Sequence, residues 1–262
     1  MSFTPLALGL SAVLVVYLAV VSPLTGKRTY DRLGRTRDQD PGAYRRTFTL
    51  WSAELWVLAV VALVIVAIEP NLDLADIGLV TDSLSSTGLG TVAGVVLAMT
   101  AALFARRWAT SKASKVAKAA KASSVSPSAQ AALQQKAVSH LLPRTAVERW
   151  YAAGLSVTAG VTEEIVFRGL LIAVGTEAFG LSREVAAACA LAIFVAGHAY
   201  QGWFGMLAVT AAGFGLTFVY FRTGDLLVPV VVHVMIDLFA LAFAQRPRTE
   251  PVRETELVRE AA

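Results

Sequence analysis

The sequence has little charge and almost no cysteine, and both shortages narrow the class of protein. Only 16% of its 262 residues are charged, whereas 56% are hydrophobic before the 19 glycines are counted. A soluble domain has about 25% charged and about 45–50% apolar residues, so a water-soluble core and a disordered chain are both excluded. Cys189 is the single cysteine, which excludes a disulfide-stapled fold and a zinc site built on cysteines.

Long apolar runs divide the chain into candidate spans, because a helix needs about 20 mostly apolar residues to cross a bilayer. Such runs lie at residues 1–26, 49–68, 83–105, 185–221 and 226–245. The run at 185–221 is long enough for two helices, broken near Gln201 and Gly202, and residues 150–176 have the length of a further span. We therefore predict an all-α, polytopic membrane helical bundle with about seven transmembrane helices, within a range of six to eight.

Lysine and arginine are concentrated in two connections, which predicts the side of the membrane on which each lies. Residues 27–46 hold seven of them and residues 106–149 hold nine, whereas residues 71–82 hold none. Basic residues near span ends mark the cytoplasmic side, so the N-terminus is expected outside. The chain then divides into N-terminal spans (1–105), a basic connector (106–147), a helical core (148–245) and a cytoplasmic tail (246–262).

Four lysines of the basic connector recur at a spacing of three residues. They are Lys112, Lys115, Lys118 and Lys121. On a helix this spacing forms a drifting stripe that could contact anionic lipid headgroups, at about 1 kcal/mol per lysine. A solvated linker is the alternative, because Pro127 interrupts a long helix. The expected partners include the lipid bilayer and exclude nucleic acid.

Six ionisable residues lie inside the candidate spans of the C-terminal half, where a charge at the helix centre costs about 2.5–3.5 kcal/mol on insertion scales. They are Glu163, Glu164, Arg168, His198, His233 and Asp237. Residues of this kind usually face the interior of a bundle. We therefore expect the three regions that carry them to converge, with Glu163, His198 and His233 lining one cavity within reach of a bridging water.

The spacing of these residues predicts different tasks for them. Glu164 and Arg168 are four residues apart, as are His233 and Asp237, so each pair shares a helical face and the first can form a salt bridge. Glu163 lies about 100° around the helix from Glu164, so the two carboxylates can face different neighbours. A free carboxylate and two imidazoles in a desolvated cavity can activate a water for hydrolysis.

Other tasks fit the same residues. Two histidines and a carboxylate are a common set of metal ligands, although the sequence has no H-E-x-x-H pattern. A buried polar network could tie the helices together, and a transporter could use the groups as a proton relay. Residue spacing alone leaves these alternatives open.

Three motifs follow one another on successive hydrophobic regions. They are Glu163-Glu164-x-x-x-Arg168, Phe194-x-x-x-His198 and His233-x-x-x-Asp237. Their order resembles the CPBP family of intramembrane glutamic endopeptidases, which includes the CAAX prenyl endopeptidases and bacterial abortive-infection and bacteriocin-processing proteins. The segments TEEIVFRGLL and TGDLLVPVVVHVMID look like the first and last blocks of that family, and the resemblance covers residues 147–243.

The resemblance implies a metal-independent protease without a cofactor. Glu163 would activate the water with help from His198, while His233 and Asp237 would stabilise the oxyanion. The supporting residues would be Glu164, Arg168 and Phe194. The implied substrate is a peptide or membrane-anchored protein cleaved near the cytoplasmic face of the bacterial cytoplasmic membrane. A non-catalytic scaffold or bacteriocin-immunity protein is the alternative within the family.

Position 237 departs from the best-described prenyl endopeptidases, which have asparagine there. An amide can donate a hydrogen bond to an oxyanion, whereas a carboxylate can do so only when it is protonated. Asp237 could instead orient the imidazole of His233 as a hydrogen-bond acceptor, and the sequence does not decide between these tasks.

Overall fold

The computed structural model describes residues 3–79, 90, 93–94 and 139–242, and these ranges contain six helices and no strand. Helix α1 comprises Pro5–Val16, a π-helical turn at Tyr17–Val21 and Ser22–Thr36, and α2 spans Ala43–Ile68. Helix α3 comprises Ala146–Glu163, a π-helical segment at Glu164–Leu170 and Leu171–Glu177. Helix α4 spans Arg183–Gly197, and a 3₁₀ turn at Ala199–Gln201 leads into α5 at Gly202–Thr223. Helix α6 comprises Leu227–Asp237 and a closing π-helical segment at Leu238–Ala242.

Three helical stretches are long and apolar enough to cross a membrane by length and composition. They are Pro5–Thr36, Ala43–Ile68 and Ala199–Thr223, and Leu227–Ala242 is a shorter apolar helix. The prediction of an all-α membrane protein is therefore confirmed for the described ranges, and the count of seven spans stays a prediction. The candidate span at 83–105 lies almost entirely outside the described residues. The lysine stripe and the tail from residue 246 lie wholly outside them.

Polar side chains accept hydrogen bonds from backbone N–H groups at the N-termini of four helices. Thr4, Thr145 and Ser182 each accept a hydrogen bond from the backbone N–H three residues later, at the starts of α1, α3 and α4. Asp225 accepts from the backbone N–H of Leu227 at the start of α6. Each such cap satisfies a donor that the helix leaves free and contributes about 1 kcal/mol.

Glycines with positive φ mark both limits of α5. Gly202 has a φ of 75° and Gly224 a φ of 74°, values in the region that L-residues with a side chain rarely adopt. The 3₁₀ turn after α4 ends at Gln201, and α5 begins at Gly202. The predicted break near Gln201 and Gly202 is confirmed.

Helix α1 is longer than the sequence analysis predicted, since it continues to Thr36 through what was expected to be a connection. Lys27 and Asp31 form an i,i+4 ion pair of 2.8 Å on its exposed side. Tyr30 and Leu33 are buried against the start of α2 and against α3. The C-terminal part of α1 is amphipathic. Burial of its apolar face stabilises the helix beyond the apolar run, while its charged residues lie on the other face.

Helix α3 lies at the centre of the bundle, packed against α2, α4 and α6. The backbones of α3 and α6 approach each other closely at Gly160, where an added Cβ would lie 2.4 Å from Cγ2 of Val234. Glu163 follows Gly160 by less than one turn, and His233 adjoins Val234. This glycine therefore sets the distance between the two helices that carry those side chains.

The helices run alternately up and down, so the bundle has two ends of different charge. We call residues 27–46 and 139–150 the basic end, and residues 69–79, 177–184 and 222–226 the far end. The basic end contains nine lysines and arginines, whereas the far end contains two, Arg183 and Arg222. The described part of the chain therefore has the charge asymmetry that marks the two sides of a membrane protein.

Ion pairs at the basic end fix the start of α3 onto the end of α1. Arg37 is buried and donates to the carbonyl oxygen of Leu142 at 2.7 Å and to Oε2 of Glu148 at 2.8 Å. Arg144 pairs with Asp38, and this hydrogen bond lowers the pKa of the Asp38 carboxyl. The segment that enters α3 is thereby held beside α1 and α2.

Candidate active site

A cavity of about 380 Å³ lies inside the bundle and is lined mainly by apolar side chains from all six helices. Its polar lining includes Glu163, His198, His233 and Asp237. The structure thus brings residues from all three sequence motifs to one cavity. Leu141, Tyr200 and other lining residues of the same cavity lie beside the basic end, so the cavity extends from these polar groups toward that end.

Glu164 joins two other polar residues beneath the cavity. Its Oε1 accepts a hydrogen bond from Arg168 at 2.9 Å and lies 2.6 Å from Nδ1 of His233. All three residues are buried, and Glu164 is fully enclosed. Arg168 also donates to the carbonyl oxygen of Gly213 on α5 at 3.3 Å. The i,i+4 pair that the spacing predicted is present, and it reaches α6 through a contact that the spacing did not predict.

The π-helical segment of α3 begins at Glu164, directly after Glu163. A π-segment has wider turns than an α-helix and occurs often at functional sites. The two carboxylates have different neighbours, since Glu163 lines the cavity and Glu164 binds Arg168, and both also approach the imidazole of His233. Glu163 Oε2 lies 3.6 Å from Nε2, whereas Glu164 Oε1 approaches Nδ1. Each carboxylate approaches a different ring nitrogen, so two side chains at different angles on α3 can both approach one imidazole.

The contacts of His233 give its two ring nitrogens different tasks. Nδ1 is the donor to the Glu164 carboxylate, which leaves Nε2 directed toward Glu163 and Asp237. Asp237 Oδ2 lies 3.9 Å from Nε2, which is beyond hydrogen-bond distance. Glu164 therefore makes the contact that orients this imidazole. Asp237 lies on the other side of the ring, near Nε2, and its task stays a prediction.

His198 is the C-cap of α4, where the chain leaves the helix for the 3₁₀ turn. Its Nδ1 lies 2.8 Å from the carbonyl oxygen of Phe194, so Nδ1–H donates there. The neutral ring then has its lone pair on Nε2. This tautomer allows His198 to accept a proton or a hydrogen bond from a water in the cavity.

Phe194 packs between the two histidines and the buried ion pair. Its ring centroid lies 4.6 Å from the guanidinium carbon of Arg168 and 4.6 Å from the ring centroid of His198. It also meets His233 in an edge-on arrangement at 6.2 Å. Phe194 can therefore hold both imidazoles in place through packing, in addition to offering its carbonyl oxygen to His198.

The cavity also has polar lining residues that the sequence analysis assigned to no site. Glu54 enters from α2, and Tyr200 and Gln201 enter from the 3₁₀ turn. The signal that could have found Glu54 is its position as a carboxylate within the apolar run at residues 49–68, but this signal indicates no partner. In the described ranges, no group of three or more His, Cys, Asp or Glu residues is arranged to hold a metal ion.

Residues 145–239 match a family model described as type II CAAX prenyl endopeptidase Rce1-like. The match covers α3 to the start of the last π-helical segment and includes every residue of the three motifs. No curated protein and no solved structure matches the chain. The resemblance inferred from the motifs is confirmed by the family model, and α1 and α2 lie outside it.

Proposed function

We propose that this chain, which matches the Rce1-like family model over residues 145–239, is a metal-independent intramembrane endopeptidase that cleaves a peptide bond near the cytoplasmic face. The observation that supports it most directly is the meeting of Glu163, His198 and His233 at one cavity. Glu163 lines this cavity, makes no hydrogen bond to a described residue, and has 12% of its side chain exposed. A general base must be able to reach the water from which it takes a proton, and exposure to the cavity allows this.

In the proposed reaction, a water between Glu163 and His198 attacks the carbonyl carbon of the scissile peptide bond. Glu163 takes the proton of the water as the new C–O bond forms, and His198 Nε2 accepts a hydrogen bond from the same water. The carbonyl oxygen becomes an oxyanion, to which a protonated His233 Nε2 donates. Collapse of the intermediate breaks the C–N bond, and the proton on Glu163 passes to the leaving nitrogen.

The buried pair of Glu164 and Arg168 positions this machinery. Its salt bridge fixes the orientation of the Glu164 carboxylate, which then fixes the imidazole of His233. An oxyanion donor must be aimed before the charge develops, because reorganisation during the reaction would cost part of its benefit. The position of Asp237 beside Nε2 fits a second donor when this carboxyl is protonated.

The shape of the cavity favours a substrate with an apolar portion. Most of its lining residues are leucine, isoleucine, valine, alanine and aromatic residues, contributed by all six helices. Because the cavity extends toward the basic end, and basic ends face the cytoplasm, the cleaved bond would enter from that side. A peptide or a membrane-anchored protein with an apolar attachment satisfies both conditions.

The test is cleavage by the purified chain in lipid nanodiscs, with apolar peptides supplied with and without a C-terminal prenyl group and products identified by mass spectrometry. We expect cleavage by the parent chain and by Glu184→Gln, which neutralises an exposed carboxylate at the far end. Glu163→Gln should lose about 10²–10⁴ in rate.

Two further outcomes would count against the proposal. Intact peptides with all variants would favour the non-catalytic scaffold, and loss of cleavage in a chelator with recovery in zinc would favour a metal enzyme.

A further inference from the structure

Glu54 is a carboxylate on the wall of the cavity that the proposed reaction does not use. It lies in α2, inside the apolar stretch Ala43–Ile68, and is half-buried. Its neighbours on the same helical face, Trp51, Leu55 and Leu58, line the cavity with it. A carboxylate in a spanning helix is costly and usually has a task.

Tyr17 holds Glu54 in place from α1. The hydroxyl of Tyr17 donates to Oε1 of Glu54 at 2.8 Å, at the point where the π-helical turn of α1 begins. Glu54 lines the cavity, whereas Tyr17 does not. The tyrosine therefore fixes one oxygen of the carboxylate, and Oε2 has no hydrogen bond to a described residue.

The described residues supply no cation for this carboxylate. Within residues 3–79 and 139–242, no lysine, arginine or histidine forms an ion pair with Glu54. One neutral hydrogen bond compensates only part of the cost of removing a carboxylate from water. A cation that enters the cavity would supply the missing compensation.

We infer that Glu54 is a specificity-determining residue that binds a cationic side chain of the substrate, a lysine or an arginine, while the rest of the cavity takes apolar groups. This inference rests on the proposed function, because it requires a peptide in the cavity. Trp51, less than one turn before Glu54, lines the same wall, and its ring would add a cation–π contact. Both residues lie outside the family match, so this preference belongs to the N-terminal helices of this chain.

The experiment uses a peptide that the parent cleaves, in which each position in turn carries lysine or its neutral isostere norleucine. We expect one position at which the parent prefers lysine by about tenfold or more in kcat/KM, mainly through KM. Glu54→Gln should bring this ratio close to one. Tyr17→Phe should lower the ratio partly, because the carboxylate keeps its charge but loses its anchor. Glu184→Gln, the matched control at the far end, should keep the parental ratio.

Two arms exclude simpler explanations. Glutamine can still accept the hydrogen bond of Tyr17, so the melting temperature of Glu54→Gln should stay near that of the parent. Acetylation of the peptide N-terminus separates recognition of a side chain from recognition of a terminal amine. A parent without lysine preference at any position, or a preference that survives Glu54→Gln, would overturn the inference.

Failure of the proposed function would give a different result. If the parent cleaves no peptide, the binding of the same lysine and norleucine peptides to the nanodisc-embedded parent and to Glu54→Gln still tests Glu54. Tighter binding of the lysine peptide to the parent alone would support the inference without catalysis. Equal binding of both peptides to both proteins would contradict it.

Discussion

Nδ1 of His233 lies 2.6 Å from Oε1 of Glu164, the oxygen that also accepts a hydrogen bond from Arg168 at 2.9 Å. One carboxylate oxygen therefore connects the salt bridge within α3 to the imidazole on α6. The other oxygen of Glu164 is buried and has no hydrogen-bond partner among the described residues. Glu164 thus links the stability of the fold to the orientation of His233.

This arrangement predicts opposite behaviour for the two adjacent glutamates. Glu164→Gln removes the charge that compensates the buried guanidinium of Arg168, which should cost about 3–5 kcal/mol of unfolding free energy. It should also lower cleavage, because His233 loses its anionic partner. Glu163→Gln keeps the volume and should leave the melting temperature near that of the parent while abolishing most turnover. Thermal unfolding and peptide cleavage of both variants check the prediction.

Two results would contradict it. Parental stability of Glu164→Gln would mean that the salt bridge contributes little in the membrane. Parental cleavage by Glu163→Gln would remove that residue from the mechanism.

Local spacing predicted the parts of the site that depend on one helix. The pair of Glu164 and Arg168 follows from i,i+4 geometry, and the break before Gly202 follows from the length of the apolar run. Convergence on one cavity follows from the cost of lipid-facing charges. These features are predictable because each depends on helix periodicity or on the bilayer, and not on the packing of distant segments.

The contacts between helices could not be predicted in the same way. The Glu164 and His233 contact joins residues 69 positions apart, and neither the approach of α3 to α6 nor the rotation of α6 is encoded in local spacing. The π-helical segments could not be predicted either, because sequence patterns for helices assume 3.6 residues per turn. The helix contacts and the π-helical segments both depend on packing. Only the structure therefore shows that Glu163 and Glu164 both approach the imidazole of His233.

Substitutions of Asp237 can distinguish a hydrogen-bond donor from a space-filling group. Asparagine has a similar shape and always donates through its amide, whereas leucine cannot donate. If position 237 donates to the oxyanion, Asp237→Leu should lose up to about 10²–10³ in kcat. Asp237→Asn should then cleave at least about ten times faster than Asp237→Leu. Equal rates for both variants in a steady-state cleavage assay would exclude the donor task.

Gly160 provides a test of the spacing between the helices that carry Glu163 and His233. In Gly160→Ala, the new Cβ would lie 2.4 Å from Cγ2 and 2.9 Å from the backbone nitrogen of Val234, so α6 must move. Overpacking of this kind costs about 1–3 kcal/mol. We expect cleavage to fall by more than the loss of folded protein explains, because His233 moves with Val234. Gly154→Ala is the matched control on the same helix, since nothing lies within 4 Å of its added Cβ. A Gly160→Ala protein with parental activity would show that the site tolerates a displaced α6.

The charge difference between the two ends predicts the orientation of the cavity in the membrane. Basic residues mark the cytoplasmic side, and the nine at the basic end outnumber the two at the far end among the described segments.

In a chain whose only cysteine has been removed by Cys189→Ser, a cysteine at Gln39 tests the basic end and one at Phe179 tests the far end. Both positions are exposed in turns between helices. A membrane-impermeant maleimide should label Phe179→Cys in intact cells and Gln39→Cys only after the membrane is opened. A permeant maleimide should label both and so controls for accessibility. The reverse pattern would place the mouth of the cavity outside the cell, and substrates would then have to reach it from that side.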